Sequence, residues 1–176
     1  EEHIRRLSEA GIQSAFQCYN INSFESVERL MRRGIYKGPL VMNWVAIGGG
    51  MDAPNIYSLA HFVRAVPDGA VLTVESSVLN VLPINVMGIA MGLHVRCGTE
   101  DNLWNQTRTE KMGTVAQIEQ LVRIAKEFSR PIATPQQARE MCQIGVFYDS
   151  VEETLEKNGF APNRNGGQQG FLRKVG

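Results

Sequence analysis

Arg96, Glu100 and Asp101 form the pattern in this chain best suited to chemistry. They lie in Leu93-His94-Val95-Arg96-Cys97-Gly98-Thr99-Glu100-Asp101-Asn102-Leu103-Trp104. A short apolar stretch runs into a glycine, and two adjacent carboxylates follow. An arginine on a strand that otherwise reads as buried needs a partner, because burying an unpaired charge is prohibitive. Two neighbouring acids past a strand's carboxyl end are costly for stability and useful for chemistry: one can hold a metal while the other moves a proton. The spacing from Arg96 lets the loop aspartate fold back toward the guanidinium. Two plainer roles compete. Glu100 could cap a following helix, and Asp101 could form a structural salt bridge with Arg96. Ser76 and Ser77 end another strand, where they could bind substrate or simply shape a turn.

A repeating strand-helix unit must position these residues. Residues 14–19 read as a strand, followed by a helix over 24–34 with Ser23 as its cap and Gly34 as its stop. Residues 40–46 are a continuous apolar run of strand length. After Gly48-Gly49-Gly50, Pro54 opens a helix carrying Ile56, Leu59, Ala60 and Val63. A strand over 71–75 and a helix over 83–91 come next. A fourth strand over 93–97 leads past the acid pair to a long helix over 115–128, capped by Thr114. Thr134-Pro135 opens a last helix of this series, reaching about residue 144. Nearly unbroken apolar strands at this spacing predict βα units and a parallel sheet covered on both faces.

A (β/α)8 TIM barrel needs eight such units and about 250 residues. The 176 residues here hold four. Residues 1–10 read as a helix left over from a preceding unit. The expected architecture is therefore α/β, with this chain supplying the last four βα units of a TIM barrel plus a C-terminal tail. An open flavodoxin-like sheet is the alternative, and it lacks support from a phosphate-cradling loop after the first strand. Residues 1–147 are assigned to the half-barrel. Residues 148–176 are assigned to a C-terminal helix (151–158) and a flexible, glycine-rich tail that could order on a neighbouring subunit.

Composition narrows the function. Eighteen basic and eighteen acidic side chains cancel, so no nucleic-acid footprint and no polybasic membrane patch is expected. No apolar run approaches the roughly 20 residues that span a bilayer. Cys18, Cys97 and Cys142 are odd in number and widely spaced, which predicts reduced thiols in a cytoplasmic protein.

Residues 92–103 resemble the β-keto acid cleavage enzymes. Leu82-Pro83-Ile84-Asn85, Ala116-Gln117-Ile118-Glu119-Gln120-Leu121-Val122 and Ile132-Ala133-Thr134-Pro135-Gln136-Gln137-Ala138-Arg139-Glu140 match other family segments in the same order. The resemblance implies a zinc-dependent TIM barrel, with Zn2+ as cofactor and acetyl-CoA as co-substrate. It condenses a β-keto acid with acetyl-CoA and releases acetoacetate and a new acyl-CoA. It also implies a homo-oligomer, a tetramer in the family. On this basis Glu100 is the zinc-ligating glutamate, Asp101 the carboxylate that deprotonates substrate, and Arg96 the arginine that positions it. Ser76 and Ser77 are candidate substrate contacts, Gly48 to Gly50 an active-site loop, and Arg108 and Lys111 candidates for the phosphates of CoA.

Two departures matter. The family's other zinc ligands are histidines of an HxH motif, which this chain lacks; His3, His61 and His94 are isolated, so those ligands are expected upstream of Glu1. Where the family carries acids on the first of these strands, this chain has Ala15, Gln17, Tyr19 and Asn20, and a GxGR-like stretch is replaced by Glu75-Ser76-Ser77-Val78-Leu79-Asn80. Both changes predict an altered substrate pocket. The alternatives are a catalytically inactive half-barrel serving as an assembly partner, separated by the absent HxH pair, and an unrelated metal-assisted aldolase-type lyase on the same fold.

Overall fold

The apolar runs of the sequence become four parallel strands, hydrogen-bonded in the order β1-β2-β3-β4, in a computed structural model that describes residues 1–164. The strands are β1 (Phe16–Cys18), β2 (Val41–Ala46), β3 (Val71–Ser76) and β4 (His94–Val95). The helices are α1 (Glu2–Glu9), α2 (Ile21–Arg32), α3 (Ile56–Ala65), α4 (Val81–Ala90), α5 (Thr114–Glu127), α6 (Pro135–Met141) and α7 (Val151–Lys157). The result is a parallel α/β sheet with strand-helix alternation. Among the described residues no helix is long and apolar enough to cross a membrane.

Strand alternation divides the sheet into two chemically different faces. Phe16, Cys18, Met42, Trp44, Ala46, Leu72 and Val74 join one core with Phe24, Val27 and Met31 of α2, Leu59 and Phe62 of α3, and Ile84 of α4. Burying each large side chain of this set contributes ~1.5–3 kcal/mol. The opposite face is mixed, with Val41, Val45 and Val71 among polar residues. Gln17, Asn43, Thr73 and His94 stand in register across all four strands.

Local signals explain most boundaries, with some shifts. Asn20, rather than Ser23, caps α2: its side chain accepts from Ser23 N, and the helix starts three residues earlier than expected. Gly34 does stop it, at φ +68°, a conformation that costs glycine nothing. Asn55 caps α3. Thr114 does not cap α5: Gly113 holds the cap position, and the Thr114 hydroxyl faces Thr99 instead. Thr134 caps α6 in a capping box with Gln137, and Pro135 sits at the first helical position. β4 is only two residues long, although Arg96 N still donates to Val74 O beyond it.

Beyond α6, α7 packs into the main core through Leu155. Asn158, fully buried, accepts from Leu40 N at 2.7 Å and donates to the Gly38 and Thr154 carbonyls. One amide thus ties α7 to the start of β2. The glycine-rich tail expected from the sequence falls mainly on residues 165–176, outside the described residues.

Candidate active site

Register brings the chemistry together. Val74 pairs with Val95, and Arg96 N donates to Val74 O at 3.2 Å, so Glu75 and Arg96 emerge side by side on the mixed face. Beyond them the chain turns tightly at Gly98, whose carbonyl accepts from Asp101 N and Asn102 N. The turn is fastened from α5: Thr114 Oγ1 meets Thr99, and Gln117 donates to the Asn102 carbonyl at 2.8 Å.

The Arg96 guanidinium is the hub. Its Nη2 lies 2.7 Å from Glu100 Oε2 and 3.4 Å from Asp101 Oδ1. Its Nε lies 2.9 Å from Glu75 Oε2 and 3.2 Å from Asp101 Oδ2. Ser77 Oγ donates to Asp101 Oδ1 at 3.0 Å, and Val78 N donates to the Asp101 carbonyl at 2.7 Å. Asp101 and Glu75 are buried, whereas the Glu100 side chain is 85% exposed. Three carboxylates around one cation leave an excess of negative charge. Burial pushes the Glu75 carboxyl up to about 7; Arg96 opposes this, and the charges of Asp101 and Glu100 add to it.

The structure therefore brings Arg96, Glu100, Asp101 and Ser77 together. Ser76 is fully buried and its hydroxyl donates to the Leu79 carbonyl. Glu75 was not singled out as a site residue by the sequence. Its signal was there: an acid closing an apolar strand, two residues past Thr73, which pairs with His94 just as Glu75 stands beside Arg96.

The surrounding loops are held in costly conformations. Val78, Asn80 and Arg108 all have positive φ (68°, 52° and 57°), which for a β-branched valine is strained by ~1–3 kcal/mol. Arg108 Nη2 donates to the Val78 carbonyl at 3.0 Å, and Lys111 lies 5.7 Å from the Trp104 ring centroid. The Gly48 to Gly50 loop follows β2, where Asp52 accepts from Trp44 Nε1 at 2.8 Å and its own N–H donates to the Tyr19 carbonyl. Trp44 is buried core, and His61 is exposed on α3.

Among the described residues no group of three or more histidine, cysteine, aspartate or glutamate side chains is arranged to hold a metal ion. Glu100 is exposed and paired with Arg96. The residues present do not by themselves form a zinc site.

Known proteins share this arrangement of sequence. The chain is 31% identical over 135 residues to a 3-keto-5-aminohexanoate cleavage enzyme of Acetoanaerobium sticklandii, covering 76% of this chain and 49% of that protein. It is 30% identical over 139 residues to a 3,5-dioxohexanoate:acetyl-CoA acetone transferase of Paraburkholderia graminis, covering 76% and 44%. A 3-keto-5-aminohexanoate cleavage enzyme of Fusobacterium nucleatum is 28% identical, with 78% and 50% covered. The chain spans about half the length of these curated relatives. The family pattern described as beta-keto acid cleavage enzyme extends over residues 1–144, taking in all four strands and the Arg96 cluster, and the chain belongs to the β-keto acid cleavage enzyme family.

Proposed function

We propose that this chain provides the proton-transfer machinery of an enzyme that condenses a β-keto acid with acetyl-CoA, giving acetoacetate and a new acyl-CoA. The observation that carries the reading is the buried Asp101 carboxylate, held by Arg96 Nε at 3.2 Å and by Ser77 Oγ at 3.0 Å. A carbon between a ketone and a carboxylate is acidic. Asp101 takes its proton, the C–H electron pair passes into an enolate, and that enolate reacts further. Arg96 and Ser77 orient the base, so its lone pair meets the substrate without searching. The activity named for the Paraburkholderia relative supports acetyl-CoA as the co-substrate.

The same reading makes residues 1–147 the last four βα units of a (β/α)8 barrel and 148–176 an appended helix and tail. Support comes from the parallel order β1-β2-β3-β4 and from a site at the carboxyl end of the strands. Exposed Val115, Ile118, Ile132 and Ile144 support burial against further protein, including other subunits of a homo-oligomer. Ser76 enters the reading as a pocket-shaping residue and Ser77 as a substrate-side contact of Asp101.

Zinc enters this reading through the family alone: the exposed Glu100 carboxylate would supply one ligand beside histidines from outside this stretch, and a bound metal would polarise a keto oxygen. Replacing Glu100 with glutamine should lower the zinc content of the full-length polypeptide while leaving its melting temperature within a few degrees. Full zinc occupancy in that variant would remove Glu100 from the ligand set.

The test of the reaction is an assay of the full-length polypeptide with acetyl-CoA and a panel of β-keto acids, following acetoacetate. Asp101→Asn should lower turnover by about 10²–10⁴-fold, the usual contribution of a general base. Near-parental turnover in Asp101→Asn would return the Arg96–Asp101 pair to a structural salt bridge.

A further inference from the structure

The Nε of Arg96 carries one hydrogen and is approached by two carboxylates, Glu75 Oε2 at 2.9 Å and Asp101 Oδ2 at 3.2 Å. Neither oxygen receives a well-aligned hydrogen bond, although both are buried. Buried carboxylate oxygens are normally satisfied, and a lone guanidinium beside a lone aspartate would close into a bidentate pair. Here Glu75, on the neighbouring strand, is the nearer partner of Nε, and the fork on Asp101 stays long, at 3.2 Å from Nε and 3.4 Å from Nη2. We propose that Glu75 is a positioning residue that shares the Nε–H of Arg96 with Asp101 and so keeps the hold of the guanidinium on Asp101 Oδ2 loose.

The inference rests on Asp101 being the base, and it adds a role for a residue on another strand. Its physical content is a competition. With Glu75 present, Arg96 steadies Asp101 through two long contacts, neither of them a tight hydrogen bond. Without it, the fork of the guanidinium settles on Asp101 and takes up the lone pair that proton removal requires. The Glu75 carboxyl, pushed up to about 7 by burial, sits where either of its protonation states still offers an acceptor oxygen to Nε.

The experiment compares Glu75→Ala and Glu75→Gln in the full-length enzyme. Loss of the acceptor in Glu75→Ala should lower kcat by about 10- to 100-fold, the scale of a misplaced reacting group, with KM within about twofold. Glu75→Gln keeps a neutral acceptor at the same place and should recover most of that loss. The Arg96 Nε–Hε resonance, assigned by its disappearance in Arg96→Lys, should move in Glu75→Ala and move less in Glu75→Gln. Parental kcat in Glu75→Ala, equal losses in the two variants, or an effect confined to KM would overturn the proposal. If Glu75→Ala does not fold, Glu75→Met, which fills the volume but lacks the acceptor, takes its place, and a parental kcat with an unmoved Arg96 resonance in that variant overturns the proposal. A parent enzyme inactive on every β-keto acid would defeat the reaction assigned above, while the Nε–Hε resonance would still report whether Glu75 and Asp101 share Arg96.

Discussion

Glu75 shows how one residue can join stability to the site. Its carboxyl is raised from 4.5 to about 7, first by burial, with Asp101 and Glu100 adding and Arg96 opposing. A carboxyl whose folded pKa lies above its unfolded value favours folding fully below about 4.5, and that contribution is lost as pH rises through 7. The difference is on the order of 3 kcal/mol between pH 4.5 and 8. Glu75→Gln cannot ionise, so urea unfolding of the full-length protein should weaken less from pH 5 to pH 8 in the variant than in the parent. Equal slopes would mean that the buried carboxyl is not taking up a proton in this window. At this scale the sequence was partly legible. Arg96, Glu100 and Asp101 could be read because they are close in the chain and chemically loud. Ser77 and Glu75 reach the same cluster through strand register, which local spacing does not encode.

Elements were more legible, because hydrophobic period and glycine punctuation act locally. All four strands and the helices between them lie where apolar runs predict. The shifts came from competing polar groups: Asn20 outbid Ser23 for the cap of α2, and the Thr114 hydroxyl turned to Thr99. One contact was invisible in the pattern. Gly88 lies inside α4, where glycine costs ~1 kcal/mol relative to alanine. A Cβ there would stand 2.4 Å from Val74 Cγ2 and 2.9 Å from Val95 Cγ1, so the helix rests its backbone on β3 and β4. Gly88→Ala should therefore destabilise the protein by ~1–3 kcal/mol despite its better helix propensity. Thermal unfolding checks the sign, and a stabilised variant would show that α4 can lift away without penalty.

At the scale of the whole molecule, β1 and β4 each pair on one side only among the described residues. Unpaired edges invite association. Beside β4, Ile89, Leu93, Leu121 and Ile132 line an open apolar cleft of about 540 Å³. We expect the 176-residue chain alone to self-associate at micromolar concentration, and the full-length polypeptide to give one discrete species. Size-exclusion chromatography with light scattering distinguishes these, and a cooperative monomer of the short chain would argue against the half-barrel.

The strained loop after β3 also has a mechanical consequence. Val78 N is bonded to the Asp101 carbonyl, Ser77 Oγ to the Asp101 carboxylate, and Arg108 to the Val78 carbonyl. These three rivets fasten the loops after β3 and β4 into a single plate. Neither loop can peel back by itself without dragging Asp101 out of place. Under the proposed reaction, a bulky thioester would enter from a side of the mouth that this plate does not cover, toward the glycines after β2, where backbone at φ +88° and +69° meets no neighbour within 4 Å of a would-be Cβ. One wall of the entrance is pinned by three bonds, and the other opens onto uncrowded space.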